Sequence, residues 1–348
     1  MKVALLTSKA TSLSNVGKDI GYVLHRHGHT PLLLSSLPPY WHVAELCDAV
    51  IIIYPASPLY CSHVFLWYRD FKLYEGKPII FYTTIEGKPV MRRLKEWMYR
   101  DLEFIANSKY TYEKLIEAGL TVKGIIPHAI VRELVYEAEK LIPLARNNLK
   151  KLFPDKVIFG AIAFYHPRKG LENLAEAVAI LGKKRKDFVV YLITSQKAKE
   201  ALSPHECLHI DTVFGKRSRE EILAWMGALD YLIVPSLAEG FCLPLLEANS
   251  MGTPVIHCAY PPLTEISDPR LNILFEYDRI ESVDLEEGIE YEMHIYDPKA
   301  LASAMEEAIE LKRNDEKGYA KRRREVRKVI EKYDAFKHYT KLIRLIGA

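Results

Sequence analysis

Residues 231–256 read YLIVPSLAEGFCLPLLEANSMGTPVI, and this stretch carries the strongest structural signal in the sequence. Its apolar opening predicts a buried strand that ends at Pro235. A short polar loop follows, and Pro244 then stands where the first turn of a helix should lie. Proline suits that position because its fixed φ matches the helix and its missing N–H costs nothing there. Gly252 is placed to end the helix.

The N-terminus of this predicted helix is suited to binding an anion. The backbone N–H groups of residues 240–243 lack partners within a helix, so they can bind a phosphate or an oxygen that gains negative charge. Two carboxylates accompany them: Glu239 lies just before the turn, and Glu247 is predicted in the first turn of the helix. The pattern therefore indicates an anion site that is bordered by carboxylates.

Short apolar runs alternate with helical patterns before this stretch. Helices are predicted at 16–27 and 109–118. Continuous runs of Val, Ile and Leu are typical of parallel strands that are buried on both faces. Such strands are predicted at 2–7, 30–35, 49–55, 78–83, 103–108 and 123–128. Strand–helix alternation of this kind predicts a doubly wound α/β sheet.

The pattern breaks near 143–156 and then restarts. Strands are predicted at 157–163, 188–194, 208–214, 231–235, 254–259 and 272–275, and helices at 171–181, 219–229, 244–251 and 298–311. We therefore expect two Rossmann-like domains that face each other across a cleft, at residues 1–150 and 151–315. Residues 316–348 form a helical tail that could pack back on the first domain, and its charged part, 314–333, is predicted to be one long solvated helix.

Composition excludes several classes of protein. The chain has 348 residues and a formal net charge of +3, which does not suggest a nucleic-acid binder. Its 5 cysteines are scattered without a CxxC pair, which favours a reducing, cytoplasmic location over a disulfide framework or a zinc site. No apolar run is long enough to predict a membrane span. A single glutamine, Gln196, beside abundant Lys and Glu is typical of a thermophile source.

Several motifs now carry a specific resemblance. The segment EGFCLPLLEANSMGTPVI at 239–256 resembles the EGFGLPxLEAMAxGxPVI signature of retaining GT-B glycosyltransferases of the group 1, or family 4, type. Four further segments resemble other parts of that family in the same order along the chain: GHTPLLLS at 28–35, IANSKYTYEKLIEAGL at 105–120, HPRKGLENLAEAVAIL at 166–181 and SREEILAWMGALDYLIVPS at 218–236.

The resemblance implies two catalytic residues. Glu239 would hold hydroxyls of the donor sugar and help to stabilise an oxocarbenium-like centre. Lys169 would bind the diphosphate and counter the charge that builds on the leaving group. It also implies a donor-binding set, in which the Glu247 carboxylate accepts hydrogen bonds from the ribose hydroxyls. The other members of that set are Arg168, the backbone N–H groups of Gly240, Phe241, Cys242 and Leu243, and, less directly, Gly17 before the first long helix.

The sequence departs from the family at several positions. The family usually has an arginine near Ala163, and none is present. Cys242 replaces a glycine, which constrains the backbone of the loop. Many relatives carry a histidine in the segment FYTTIEGKPVMRR at 81–93, where this chain has Glu86 instead. Glu86 is therefore a candidate contact to the acceptor or the donor sugar, and the loop carboxylate Glu265 is interpreted as a structural cap.

The implied reaction is hexosyl transfer from a UDP- or GDP-linked sugar to an acceptor hydroxyl, with retention at the anomeric carbon. No two aspartates stand two positions apart, so the DxD metal motif of other glycosyltransferases is missing and no metal or other cofactor is expected. The acceptor is open. The basic stretch 88–100 is the candidate for an amphipathic helix that docks on the inner face of a membrane. Two alternatives remain: a phosphorylase or epimerase on the same architecture, and a non-catalytic protein that binds sugar nucleotides or glycans.

Overall fold

A computed structural model describes residues 1–347. Its strands, in chain order, are β1 (Lys2–Thr7), β2 (Thr30–Leu34), β3 (Ala49–Ile53), β4 (Ile79–Thr83), β5 (Gly87–Pro89), β6 (Glu103–Ala106), β7 (Thr121–Ile125), β8 (Val157–Ile162), β9 (Phe188–Ile193), β10 (Leu208–Asp211), β11 (Tyr231–Val234), β12 (Val255–Cys258), β13 (Ile273–Phe275), β14 (Arg279–Asp284) and β15 (Ile289–Ile295). Its helices are α1 (Thr11–Arg26), α2 (Tyr40–Leu46), α3 (Pro58–Glu75), α4 (Lys109–Glu117), α5 (Arg132–Glu139), α6 (Ile142–Leu152), α7 (Leu171–Gly182), α8 (Gln196–Ala201), α9 (Arg219–Ala228), α10 (Leu243–Ser250), α11 (Leu263–Ile266), α12 (Pro298–Asn314), α13 (Glu316–Val326), α14 (Val329–Lys332) and α15 (Ala335–Arg344).

Two parallel sheets organise the chain. The first has six strands in the order β2-β1-β3-β4-β6-β7, and the second has six in the order β10-β9-β8-β11-β12-β13. Strands β3 and β9 are buried along their whole length, as the continuous apolar runs predict. The predicted α/β class with two doubly wound sheets is therefore confirmed. The carboxyl ends of parallel strands form the edge at which such sheets bind ligands.

A third sheet joins the two halves of the chain. It is antiparallel, has three strands in the order β14-β15-β5, and brings a hairpin of the second half onto a strand of the first. We call β14, β15 and the turn between them the strap hairpin. Residues of the first half also hold it by ion pairs: Arg92 contacts Glu290 at 3.0 Å and Arg93 contacts Asp284 at 2.7 Å.

This arrangement corrects one expectation. The basic stretch 88–100 is not an amphipathic helix, because it contains β5 and two short 3₁₀ turns, Met91–Arg93 and Glu96–Met98. Two of its arginines are instead paired with carboxylates of the strap hairpin. Within residues 1–347, no helix is both long and apolar enough to cross a lipid bilayer.

The connection between the sheets and the charged tail also differ from expectation. Residues 143–156 contain α6 rather than a break, because Pro143 is accommodated in the first turn of a helix. The tail is not one long solvated helix. It folds into α13 and α14, and the Arg323 guanidinium reaches inward to the carbonyl oxygens of Leu229 at 2.6 Å and Gly227 at 2.8 Å. The arginine thus supplies donors to carbonyl oxygens of buried residues, which would otherwise lose their hydrogen bonds to water.

The last helix, α15, packs against α1 in the first half. Its buried face includes Ala335, Tyr339 and Leu342. The Tyr339 hydroxyl accepts a hydrogen bond from the Ala129 backbone N–H at 2.9 Å, and the rings of Phe336 and Tyr22 meet edge to face. A helix from the end of the chain thus completes the core of the first half.

Candidate active site

The loop between β11 and α10 is organised for anion binding. Helix α10 begins at Leu243, with Pro244 in its first turn, and Gly252 takes a φ of 76° just past its end. Within residues 1–347, the backbone N–H groups of 240–243 donate to no other protein group. Their dipoles therefore remain available to a ligand at the N-terminus of α10.

Close backbone contacts fix this loop in place. The Leu237 N–H donates to the Arg168 carbonyl at 2.7 Å. Gly170 has a φ of 59°, and a Cβ atom added there would lie 2.1 Å from the Pro235 carbonyl oxygen, so only glycine fits. Gly240 is also closely packed, because an added Cβ atom would lie 2.3 Å from Thr84 Oγ1 in the first half. The loop is therefore pressed against both halves of the chain.

Two residues of the first half fasten the same loop. The Ser108 hydroxyl donates to the Gly240 carbonyl at 2.8 Å, and the Thr111 hydroxyl donates to it at 3.2 Å. In the opposite direction, Glu265 of the second half caps α4, because its carboxylate accepts from the N–H groups of Lys109 and Tyr110 at 2.9 Å each. The interpretation of Glu265 as a cap is confirmed, and its partner helix lies across the cleft.

Four of the predicted site residues form one charged cluster. Lys169 donates to Glu239 Oε1, and Arg168 lies 3.4 Å from Glu239 Oε2. A second nitrogen of the Arg168 guanidinium contacts Glu86 at 3.0 Å. All four side chains are less than one fifth exposed, so their charges interact with little screening by water. Glu86 therefore lies in the site through its ion pair with Arg168.

The two cations of the cluster keep the Glu239 carboxylate ionised. Burial raises the pKa of Glu239, but Lys169 and Arg168 lower it more, and the resulting pKa lies below the ordinary value. Burial lowers the pKa of Arg168, whereas Glu86 and Glu239 raise it, and the net direction is upward. Two positive and two negative groups thus face each other, and an anionic ligand that displaced the carboxylates would gain both cations as partners.

Glu247 belongs to a second cluster. The prediction that Glu247 lies in the first turn of α10 is wrong, because that helix begins at Leu243 and Glu247 is its fifth residue. Its Oε1 atom accepts from the Arg219 guanidinium at 3.1 and 3.2 Å, and Arg219 also donates to Asp19 of α1 at 2.6 Å. Burial raises the pKa of both carboxyl groups, Arg219 lowers them, and the net direction is upward for each.

One oxygen of each carboxylate in this second cluster remains without a protein partner. Within the described residues, Glu247 Oε2 makes no hydrogen bond, and Asp19 Oδ2 is buried and unpaired. Arg219 thus orients Glu247 while leaving one acceptor open. Gly17, two residues before Asp19 on α1, is tightly packed: a Cβ atom added to it would lie 2.5 Å from Thr7 Cγ2 and 2.9 Å from Leu33 Cδ1.

The side chains of Phe241 and Cys242 in this loop are buried. Cys242 takes a φ of 79°, in the left-handed region where the family's glycine would be unstrained. Burial raises the pKa of its thiol, so the thiol stays protonated. The Phe241 ring packs edge to face on His128 with centroids 4.9 Å apart, and it is 4% exposed. His128 therefore supports the loop from below.

This buried histidine predicts a sensitivity to acid. Burial lowers the pKa of His128 to about 3, well below the ordinary value for an unfolded chain. Its contribution to stability is therefore present above about pH 6.5 and is lost as pH falls towards 3, at roughly 1.4 kcal/mol per pH unit. Urea unfolding of the native chain and of His128→Gln between pH 7 and 4 should show a shallower pH dependence for the variant. Parallel curves would contradict this role.

Sequence reasoning missed Asp19 and Arg219. Arg219 follows Ser218, which caps α9 in a capping box, and that signal indicates only where a helix starts. Its two carboxylate partners lie 200 and 28 residues away along the chain. At Ala163, where an arginine was expected by resemblance, the structure has a buried residue whose carbonyl accepts from the Thr194 hydroxyl at 2.7 Å.

Comparisons with known proteins bear on the family to which the chain belongs. Residues 155–310 match the family model described as glycosyl transferases group 1. An uncharacterized glycosyltransferase of Sulfolobus islandicus rod-shaped virus 1 is 31% identical over 347 residues, which cover 99% of this chain and 100% of the viral protein. The MMP alpha-(1->4)-mannosyltransferase of Mycolicibacterium hassiacum is 32% identical over 197 residues, which cover 52% of this chain and 44% of that protein.

Solved structures share the architecture. The crystal structure of Anabaena HepE in complex with UDP and glucose aligns with a TM-score of 0.68 at 14% identity, over 100% of this chain and 99% of HepE. Identity this low bears on the fold alone, and that fold is the expected GT-B arrangement of two parallel-sheet domains. With the viral relative matching along almost the whole sequence, the chain belongs to the group 1 glycosyltransferases and is a transferase enzyme.

Proposed function

We propose that this enzyme moves a hexosyl group from a nucleoside-diphosphate sugar to an acceptor hydroxyl, with retention at the anomeric carbon. The observation that carries the proposal is the free N-terminus of α10 beside Lys169 and Arg168. Both cations pair with Glu239, the residue just before these backbone N–H groups, and donors of both kinds suit a diphosphate leaving group. The mannosyltransferase activity named for the Mycolicibacterium relative supports a hexosyl donor, and the fold shared with HepE, which was solved with UDP and glucose, is compatible with one.

In this proposal the donor spans the two clusters. The open Oε2 atom of Glu247 accepts from the ribose hydroxyls, while Lys169 and Arg168 transfer their hydrogen bonds from carboxylates to the diphosphate. Glu239, no longer paired with Lys169, then faces the sugar and stabilises positive charge at the anomeric carbon. The leaving phosphate takes the acceptor proton, which accounts for the lack of a candidate general base in the sequence pattern.

The same proposal assigns the acceptor to the first domain and the donor to the second. We place these domains at residues 1–150 and 151–315, with 316–348 as the tail. Lys169 and the N-terminus of α10 take the place that a divalent cation has in enzymes with a DxD motif. The nucleotide of the donor is UDP or GDP.

Nucleotide binding tests this assignment. We expect the thermal unfolding midpoint to rise with UDP or GDP, because a ligand that binds only the folded state adds about 2.7 kcal/mol at 100 times its Kd. Transfer from the matching nucleotide sugar should also continue at an unchanged rate in EDTA. Activity with a sugar 1-phosphate in place of the nucleotide sugar would instead identify a phosphorylase. Binding without product from any acceptor would contradict hexosyl transfer.

A further inference from the structure

The tip of the strap hairpin touches the turn that presents Arg168 and Lys169. This turn is a short 3₁₀ segment, Pro167–Lys169, that precedes α7. Glu287 lies between β14 and β15, and its two carboxylate oxygens lie 3.1 and 3.2 Å from His166 Nε2. The strap hairpin therefore reaches His166, the residue just before the Pro167–Lys169 turn.

His166 connects the hairpin to the turn through both ring nitrogens. Its Nδ1 atom accepts from the Arg168 backbone N–H at 3.3 Å, as an N-cap of the turn. Because Nδ1 accepts, the proton of the neutral ring is on Nε2, which donates to Glu287. The contact to the hairpin thus fixes both the tautomer and the orientation of the ring. It is a relay of the kind in which an outer carboxylate orients an inner histidine.

Glu287 is itself held from two sides. The Tyr291 hydroxyl, on β15, donates to its carboxylate. Ser57, which caps α3 in the first half, donates its hydroxyl to the Glu287 carbonyl at 2.6 Å. Next to it, Gly288 packs so closely on Leu59 that an added Cβ atom would lie 2.8 Å from the Leu59 nitrogen. The hairpin tip therefore has a fixed position relative to both halves of the chain.

We propose that Glu287 is a positioning residue for the donor diphosphate: through His166 it holds the Pro167–Lys169 turn in the conformation that presents Arg168 and Lys169. The inference rests on the proposed function, since it assigns these cations to the diphosphate. A 3₁₀ turn this short has little intrinsic stability, so its geometry depends on its cap. Glu287 does not touch the donor, and its effect is confined to groups that contact the phosphates.

The test compares ligands with and without phosphates. Binding of UDP and uridine, and of GDP and guanosine, is measured by calorimetry on the native chain and on Glu287→Ala. We expect the affinity for the better-bound diphosphate to fall by roughly tenfold, in keeping with the loss of one hydrogen bond to a charged group, while the affinity for its nucleoside stays the same. Glu287→Gln should recover most of the affinity, because its amide oxygen can still accept from His166 Nε2.

A second variant separates positioning from general loosening of the hairpin. Glu290→Ala removes a carboxylate on the same hairpin, whose partner Arg92 is 72% exposed, without touching the turn. It should bind diphosphate like the native chain. Equal losses for diphosphate and nucleoside in Glu287→Ala, or equal effects of the two alanine variants, would overturn the positioning role. If the native chain bound no nucleotide at all, the proposed function would fall, and this inference with it.

Discussion

Replacing Lys169 with alanine should lower the rate of hexosyl transfer by about 10²–10³-fold, the usual cost of losing one well-placed group that stabilises leaving-group charge. The Lys169 side chain is 19% exposed and bonds to Glu239 in the resting site. Its loss would leave the diphosphate without its nearest ammonium group and would leave Glu239 facing the incoming phosphates with less compensation. The rate is measured as product formed from the nucleotide sugar at saturating donor.

The matched control is Lys184→Ala. That lysine is 66% exposed and pairs with Glu306 at 3.6 Å on the surface of the second half. It carries the same charge, so a change in net charge alone would affect both variants alike. A Lys169→Ala variant that folds and transfers sugar at the native rate would remove Lys169 from the mechanism.

The second large effect concerns Arg219. Arg219→Met leaves Asp19 and Glu247 buried without a cation, and removing one member of a buried ionic network costs about 3–5 kcal/mol. Their side chains are 5% and 10% exposed, so water offers little compensation. Urea unfolding at pH 7 should show this loss. The control Arg270→Met removes an arginine that is 86% exposed, and it should leave the unfolding curve unchanged.

The loss of unfolding free energy in Arg219→Met should be smaller at low pH than at neutral pH. Burial already raises the pKa of Asp19 and Glu247 with Arg219 present, and removing the guanidinium raises both further. Carboxyls with a raised folded-state pKa favour the folded state at low pH and disfavour it as pH rises through that pKa. The gap between Arg219→Met and the native chain should therefore narrow as pH falls from 7 to 5. A constant gap would mean that the variant loses packing rather than charge compensation.

The sequence predicted the parallel sheets because their strands are continuous apolar runs, which local composition reveals. Only the edge strand β7 is displaced: it spans Thr121–Ile125 rather than 123–128, and its exposure alternates. Strand β5 was not predicted, since Gly87–Pro89 has neither the length nor the composition of a strand. The strap hairpin carried a usable signal that was overlooked: Ile289, Tyr291 and Met293 are buried and alternate with polar residues.

The predicted donor residues split into two groups for a physical reason. Loop and helix signals around Pro244 depend on neighbouring residues, so the free N–H groups at 240–243 could be expected. The partners of the charged side chains could not, because ion pairs such as Arg168–Glu86 and Arg219–Asp19 form between residues far apart in sequence. Only the folded chain shows which carboxylate each cation meets.

The docking of α15 on α1 has a consequence for synthesis. Residues of α1 leave the ribosome well before those of α15, so the apolar surface of α1 that packs on Phe336 stays open until α15 has emerged. At translation speeds of about 5–20 residues per second, that delay is on the order of tens of seconds. During this interval the first half lacks α15, and a chaperone has access to the apolar surface that α15 later covers. Truncation before residue 335 would leave that surface permanently exposed.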